Sequence, residues 1–267
     1  MSGTSPSSTP PPSAPVSSTP LSGTRLPSTR LPSAPPSSTP LSSTERTRHR
    51  RLRENGRTDR AELFAVLRAG FVCHLGVVVD GVPMVVPTVY GFDAATLYFH
   101  GSVASRSLSG AAGDPAGNPE QDMPQVCVTV THVDGLVLAR SVFEHGVNYR
   151  SAMIYGRPRA LAGNDKLEGL RIVTEHCAPG QWDYVRRPSR KELAATILLA
   201  LPLDEASVKI ASGPPEDGDG PDGELGLWAG VVPMITGRAA PEPDPALPPG
   251  IAVPAHITAL AGPPRPA

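Results

Sequence analysis

With 267 residues and 39% hydrophobic content the chain can bury one sizeable core, yet 33 Pro and 26 Gly are too many for one uniformly folded unit. A net charge of −1 gives no electrostatic case for nucleic-acid binding by the chain as a whole. No apolar run approaches the roughly 18 residues of a membrane span and the N-terminus lacks the apolar core of a secretory signal, so a cytoplasmic protein without a membrane role is expected. Cys73, Cys127 and Cys177 are odd in number and show no C-x-x-C spacing, which argues against a disulfide framework.

Residues 1–44 are dominated by Ser, Thr and Pro, with no aromatic and no acid, and are expected to be disordered because they cannot bury enough apolar surface to offset chain entropy. They carry a duplicated PSAPxSSTPLS at 12–22 and 32–42. Arg46, Arg48, Arg50, Arg51, Arg53 and Arg57 follow as a basic segment, read as solvated surface outside the fold, so residues 1–57 form an extension. The folded domain is expected over 58–240, opening with a helix capped by Asp59 and Glu62 ahead of Leu63, Phe64, Val66 and Leu67. Phe71 to Val79 and Val82 to Tyr90 read as strands joined by an Asp80-Gly81 hairpin turn, and Thr96 to His100 as a third strand. A short helix is expected in 103–112, a Gly/Pro/Asn loop over 113–124, and strands from Val126 to Thr131 and Arg150 to Leu161. Leu167, Leu170, Ile172 and Val173 have helical spacing within 164–177, and Ser189 with Glu192 caps another helix. The last strands fall at Thr196 to Leu201, Ser207 to Ser212 and Leu225 to Val231, with an acidic, solvated loop of Glu216, Asp217, Asp219, Asp222 and Glu224 between the last two. Residues 241–267 read as a Pro-rich disordered tail.

Consecutive hairpins without a βαβ rhythm argue for a mainly β, antiparallel barrel or sandwich with a few peripheral helices. TLYFHGSVASR at 96–106, VVVDGVPMVVPTVYGFD at 77–93, VCVTVTHVDGLVLARS at 126–141, NYRSAMIYGRPRALAG at 148–163 and the late SVKIASGPP…LWAGVVP together resemble the split-barrel flavoproteins related to pyridoxamine 5'-phosphate oxidase, in the branch that includes nitroimidazole reductases. The resemblance spans roughly 58–240. It implies a split barrel, FMN as cofactor, and a homodimer with two flavin sites at its interface. It further implies an oxidoreductase that reduces a small organic acceptor, with nitroaromatics among the candidates. The alternative is a flavin, deazaflavin or haem carrier on the same barrel. The parent oxidase reaction itself is disfavoured, since no Arg-x-His matches that enzyme's substrate-binding pair near the C-terminus.

FMN needs donors and cations for its phosphate, a flat apolar slot for its ring and polar groups at the ring edge. Gly101, Ser102, Ser105 and Arg106 offer the first, although a Ser-rich loop is also an ordinary surface turn. Val86, Pro87 and Thr88 match the family segment that borders the ring; Pro87 cannot donate a ladder hydrogen bond and marks an edge or a bulge. His100 matches the histidine that faces the flavin in nitroimidazole reductases and is the catalytic candidate, a proton donor near neutral pH. Trp228 resembles a late aromatic that reaches the partner's flavin, while Arg140 and Tyr149 match recurrent positions of less clear role. Cys73-His74 and His176-Cys177 are adjacent pairs and make no natural metal chelate. The G-x-S-x-G, Walker and Rossmann patterns are absent.

Overall fold

The computed structural model describes residues 40–113 and 124–262. Every named strand pair is antiparallel: β1 (Gly56–Arg57), β2 (Val72–Val79), β3 (Val82–Phe92), β4 (Thr96–Ser102), β5 (Val126–Leu138), β6 (Gly146–Gly156), β7 (Arg159–Ala160), β8 (Thr196–Pro202), β9 (Glu205–Ala211) and β10 (Gly230–Pro233). Their order is β1-β9-β6-β5-β2-β3-β4-β8-β7, with β10 beside β5. This is the expected split barrel.

The split has a local cause. Residues Val82 to Val89 of β3 pair only with β2, and Tyr90 to Phe92 pair only with β4, so one strand serves two sheets that part between Val89 and Tyr90. The hairpin that begins β3 turns through Asp80 (φ 52) and Gly81 (φ 76), two left-handed residues in succession, as a two-residue turn with matching twist requires.

One face of the curled sheet closes on Leu75, Val77, Tyr90, Leu97, Phe99, Val128, Val130, Ile154, Leu199, Leu201 and Val208. Helix α1 (Arg60–Arg68) inserts Leu63, Phe64, Val66 and Leu67 into that core, and α2 (Arg106–Ala112) adds Leu108 and Ala111. Outside, α3 (Gly163–Cys177) lies on β3, β4 and β8 and buries Leu198 and Ala200, so β8 is covered on both faces. That is why TILLALP reads as a continuous apolar run with no alternation. Helices α4 (Gln181–Tyr184) and α5 (Arg190–Ala195) follow, the latter opened by a Ser189/Glu192 capping box as expected.

Buried Tyr90 and half-buried His132 and His176 meet the end of α1. His132 Nε2 lies 3.0 Å from Val66 O, Tyr90 Oη donates to Leu67 O at 2.7 Å, and His176 Nε2 lies 2.8 Å from Gly70 O. Donors from β5, β3 and α3 thus meet carbonyls in and just beyond the last turn of α1, where the helix itself supplies too few N–H groups.

Several expectations change. The fold does not begin at residue 58. Leu41 is in the core, Thr47 is buried, Arg46 pairs with Glu205 and β1 pairs with β9, so part of the basic segment belongs to the barrel wall. Its two widely spaced leucines, Leu41 and Leu52, and its long-range ion pair leave no local periodicity to announce this. Strand β5 runs on to Leu138 through an irregularity between Val133 and Gly135, and β6 begins earlier than expected, at Gly146. The last strand is shorter than expected, because Leu225 to Ala229 is not strand.

The acidic loop is not wholly solvated. Asp217, 3% exposed at its side chain, accepts from the backbone N–H groups of Arg140 and Ser141 and pairs with the Arg140 guanidinium at 3.0 Å. Burial opposes the charge of Asp217, but these donors prevail and hold its carboxyl below the usual range. After residue 240 the chain still packs. A short helix α6 (Ala255–Thr258) sets His256 against Tyr184 and Gln181, while Arg238 stacks over Phe71. The expected disorder of 1–44 and the loop of 113–124 fall mostly outside the described residues.

Candidate functional site

The split between β3 and β4 assembles most of the residues singled out in the sequence. The two-residue hairpin makes Val79 and Val82 a hydrogen-bonded pair, so Pro83, Val85 and Pro87 turn their backbone groups away from β2 toward the open side. Prolines suit that edge, having no N–H to leave unpaired. The expectation that Pro87 marks an edge is met in an unexpected way, since β3 is internal to the sheet order and edge-like only along this segment.

Across the opening, His100, Gly101 and Ser102 pair with Leu198, Ile197 and Thr196 of β8 but not with β3. Thr88 Oγ1 donates to His100 O at 3.4 Å, the narrowest polar link across the splay. Alternation from Phe99 in the core puts His100 on the outer face with Tyr98 and Leu198. Its Nδ1 is buried without a hydrogen-bond partner. Burial lowers its pKa below the ordinary histidine value, so the imidazole is neutral at pH 7. A neutral ring with an unpaired nitrogen fits a ligand-facing group better than a structural one, which would have found a partner.

Gly101 sits over α2: a Cβ there would lie 2.4 Å from Leu108 Cδ1, so the helix closes the inner side of the split. Ser102 Oγ accepts from Ala104 N–H at 3.2 Å, leaving its proton free to donate, and the hydroxyls of Ser105 and Ser107 lie 3.1 Å apart. Arg106 is 64% exposed at its side chain and pairs with Asp80 at 2.6 Å. Val86 packs against the core and Val85 is 69% exposed, as alternation requires.

The outer face beside the opening is apolar and bears a second imidazole that the sequence reading discarded. His74 stands on β2 directly opposite Pro87, among exposed Val72, Val78 and Val85, and makes no hydrogen bond among the described residues. Only the register of β2 on β3 reveals it. Trp228 is not brought to the split. It is 69% exposed and packs on Gly230, which pairs with Leu138. The level of Thr88 corresponds to about residue 130 of β5, so Trp228 lies roughly 25 Å along the sheet. Arg140 is held by Asp217, and Arg150 by both oxygens of Asp134. No group of three or more His, Cys, Asp and Glu side chains suits a metal ion among the described residues, and none of their helices is long and apolar enough to cross a membrane.

Residues 59–210 match the family model described as pyridoxamine 5'-phosphate oxidase. Among solved structures, the flavocytochrome Anf3 from Azotobacter vinelandii is 34% identical with a TM-score of 0.75, the match covering 84% of this chain and 100% of that one. The FAD and heme binding protein from Mycobacterium smegmatis is also 34% identical, with a TM-score of 0.72, and the match covers 79% of this chain and 100% of that one. No curated protein matches the chain.

Proposed function

The chain belongs to the pyridoxamine 5'-phosphate oxidase family, and from that premise we propose that it is a flavin-dependent redox protein with its cofactor in the split between β3 and β4. The observation that carries this reading is the splay itself. It leaves an unpaired edge of β3, a buried Nδ1 without a partner on His100 and a set of hydroxyls with a guanidinium at one end. Flavin, when bound, supplies one- and two-electron transfer to a small organic acceptor, nitroaromatics among the candidates.

The chain's own residues do the rest. Ser102, Ser105 and Arg106 would hold a flavin phosphate, a group common to FMN and FAD, and the backbone from Val85 to Thr88 would border the ring. His100 holds or relays a proton at the ring edge. Being neutral, it acts as a hydrogen-bond donor at pH 7 and as a stronger acid only below its lowered pKa.

One of these relatives is described as a flavocytochrome and the other as an FAD and heme binding protein, which supports a second redox group here. His74 fits that role, as an imidazole without a partner on an apolar face. The same face, together with exposed Trp228, supports a homodimer that covers it.

The test is titration of the flavin-stripped full chain, followed by flavin fluorescence. Arg106→Ala is expected to weaken binding by about 1.5 kcal/mol, roughly tenfold, the low end for a hydrogen bond to a charged group because the side chain is exposed. An unchanged dissociation constant would move the phosphate elsewhere. His100→Ala at equal flavin occupancy is expected to slow acceptor reduction by about 10²-fold. A carrier without turnover would show no acceptor reduction even in the wild type.

A further inference from the structure

We propose that Asp80 sets which flavin the protein takes, disfavouring the terminal phosphate of FMN and favouring the phosphodiester of FAD. The inference rests on the flavin reading above and deepens it.

Asp80 is not a casual surface partner of Arg106. It occupies the first position of the β2–β3 turn, where its left-handed backbone (φ 52) is imposed by the two-residue hairpin. Its neighbour Val79 packs onto Gly110 of α2 so closely that a Cβ at 110 would lie 2.5 Å from Val79 Cγ2. Residues 106 and 110 are four apart and share one face of α2. Contact at Gly110 therefore brings Arg106 to the turn, where its Nη2 donates to Asp80 Oδ2 at 2.6 Å. Hairpin and helix packing thus fix the carboxylate at the edge of the phosphate cluster. An exposed ion pair lacking such support has little reason to persist.

The charge consequence follows from stoichiometry. Asp80 cancels the one positive charge that Arg106 brings to the hydroxyls of Ser102 and Ser105. FMN places a phosphomonoester there, carrying about −1.5 to −2 at pH 7. In FAD the same phosphate is a diester with a single negative charge, and its second charge lies one phosphate farther out. Repulsion between an exposed carboxylate such as Asp80 and each unit of phosphate charge is worth about threefold in dissociation constant, the scale of a solvent-screened surface pair. Asp80 therefore costs FMN more than FAD, while neutral serine donors treat the two alike.

Asp80→Asn removes the charge and keeps the turn, because Asn-Gly is a preferred pair for this hairpin; Asp80→Gly is a second neutral variant with the same turn compatibility. The full chain, stripped of flavin, is titrated with FMN and separately with FAD, with melting temperature confirming the fold. The wild type is expected to prefer FAD. In both variants FMN binding should tighten by about tenfold and FAD binding by about threefold or less, and the difference should shrink at high salt. Equal shifts for both flavins, or none, would overturn the role of Asp80 and leave flavin binding intact. Failure of the wild type to bind either flavin would overturn the functional reading and this inference with it.

Discussion

Replacing Tyr90 by Phe removes one buried hydroxyl and tests the account of how α1 is tied to the barrel. The hydroxyl lies 2.7 Å from Leu67 O and 3.0 Å from Gly70 O, and it has one proton to share between them. Gly70 O keeps a donor in His176 Nε2–H, so the substitution orphans one carbonyl, that of Leu67. A buried acceptor left without a partner costs about 1–3 kcal/mol, and about 2 is expected here because the ring itself remains in the core. For a folded region of this size that is a fall of about 4–8 °C in melting temperature. Burial raises the Tyr90 phenol far above its usual pKa, so it stays protonated and the difference between wild type and variant should be flat from about pH 6 to pH 9. The assay is urea and thermal unfolding of both proteins across that range. A loss below about 0.5 kcal/mol, or one that titrates within the range, would refute the capping role.

Gly91→Ala should be more damaging than most glycine substitutions, by about 3 kcal/mol, because its Cβ would meet the backbone of α3 at Val173 Cα (2.6 Å) and Ile172 O (2.7 Å), where no side chain can yield; urea unfolding measures it. His100 and His176 both have pKa values lowered by burial, so the unfolded chain binds more protons than the folded one between their depressed values and the ordinary 6.5. Stability should therefore be complete above about pH 6.5 and fall as the pH drops below it, and a His176→Gln variant should show a shallower fall in acid unfolding. Deleting residues 1–39 should leave the melting temperature unchanged, whereas deleting 1–57 should lower it by several degrees, since the second deletion removes core Leu41, the Arg46–Glu205 pair and β1.

What the sequence displayed well were features that local chemistry writes directly. Asp80-Gly81 demanded a two-residue turn, Ser189 with Glu192 a capping box, and the alternation of Leu97 and Phe99 a half-buried strand. What it hid depends on partners far along the chain. Asp217 looked like one acid among many until Arg140 and Ser141, more than seventy residues earlier, supplied its donors. The pairing of Arg46 with Glu205 gave the basic segment a place that its composition denied it. The site divides the same way. His100 was legible as the end of an aromatic strand, although that strand runs on through Gly101 and Ser102, whereas His74 and Asp80 acquire meaning only from the register of β2 on β3 and the seating of Val79 on Gly110. Trp228 shows the converse, a residue marked by its motif but remote from the opening within its own chain.

The central claim, that the split between β3 and β4 holds a redox cofactor, is tested most directly by the absorbance spectrum of the purified full chain before and after anaerobic reduction. The account predicts bands near about 370 and 450 nm that bleach on reduction, and a Soret band if haem is also present that His74→Ala removes while the flavin bands remain. A spectrum with no chromophore, unchanged after incubation with FMN and FAD, would contradict it.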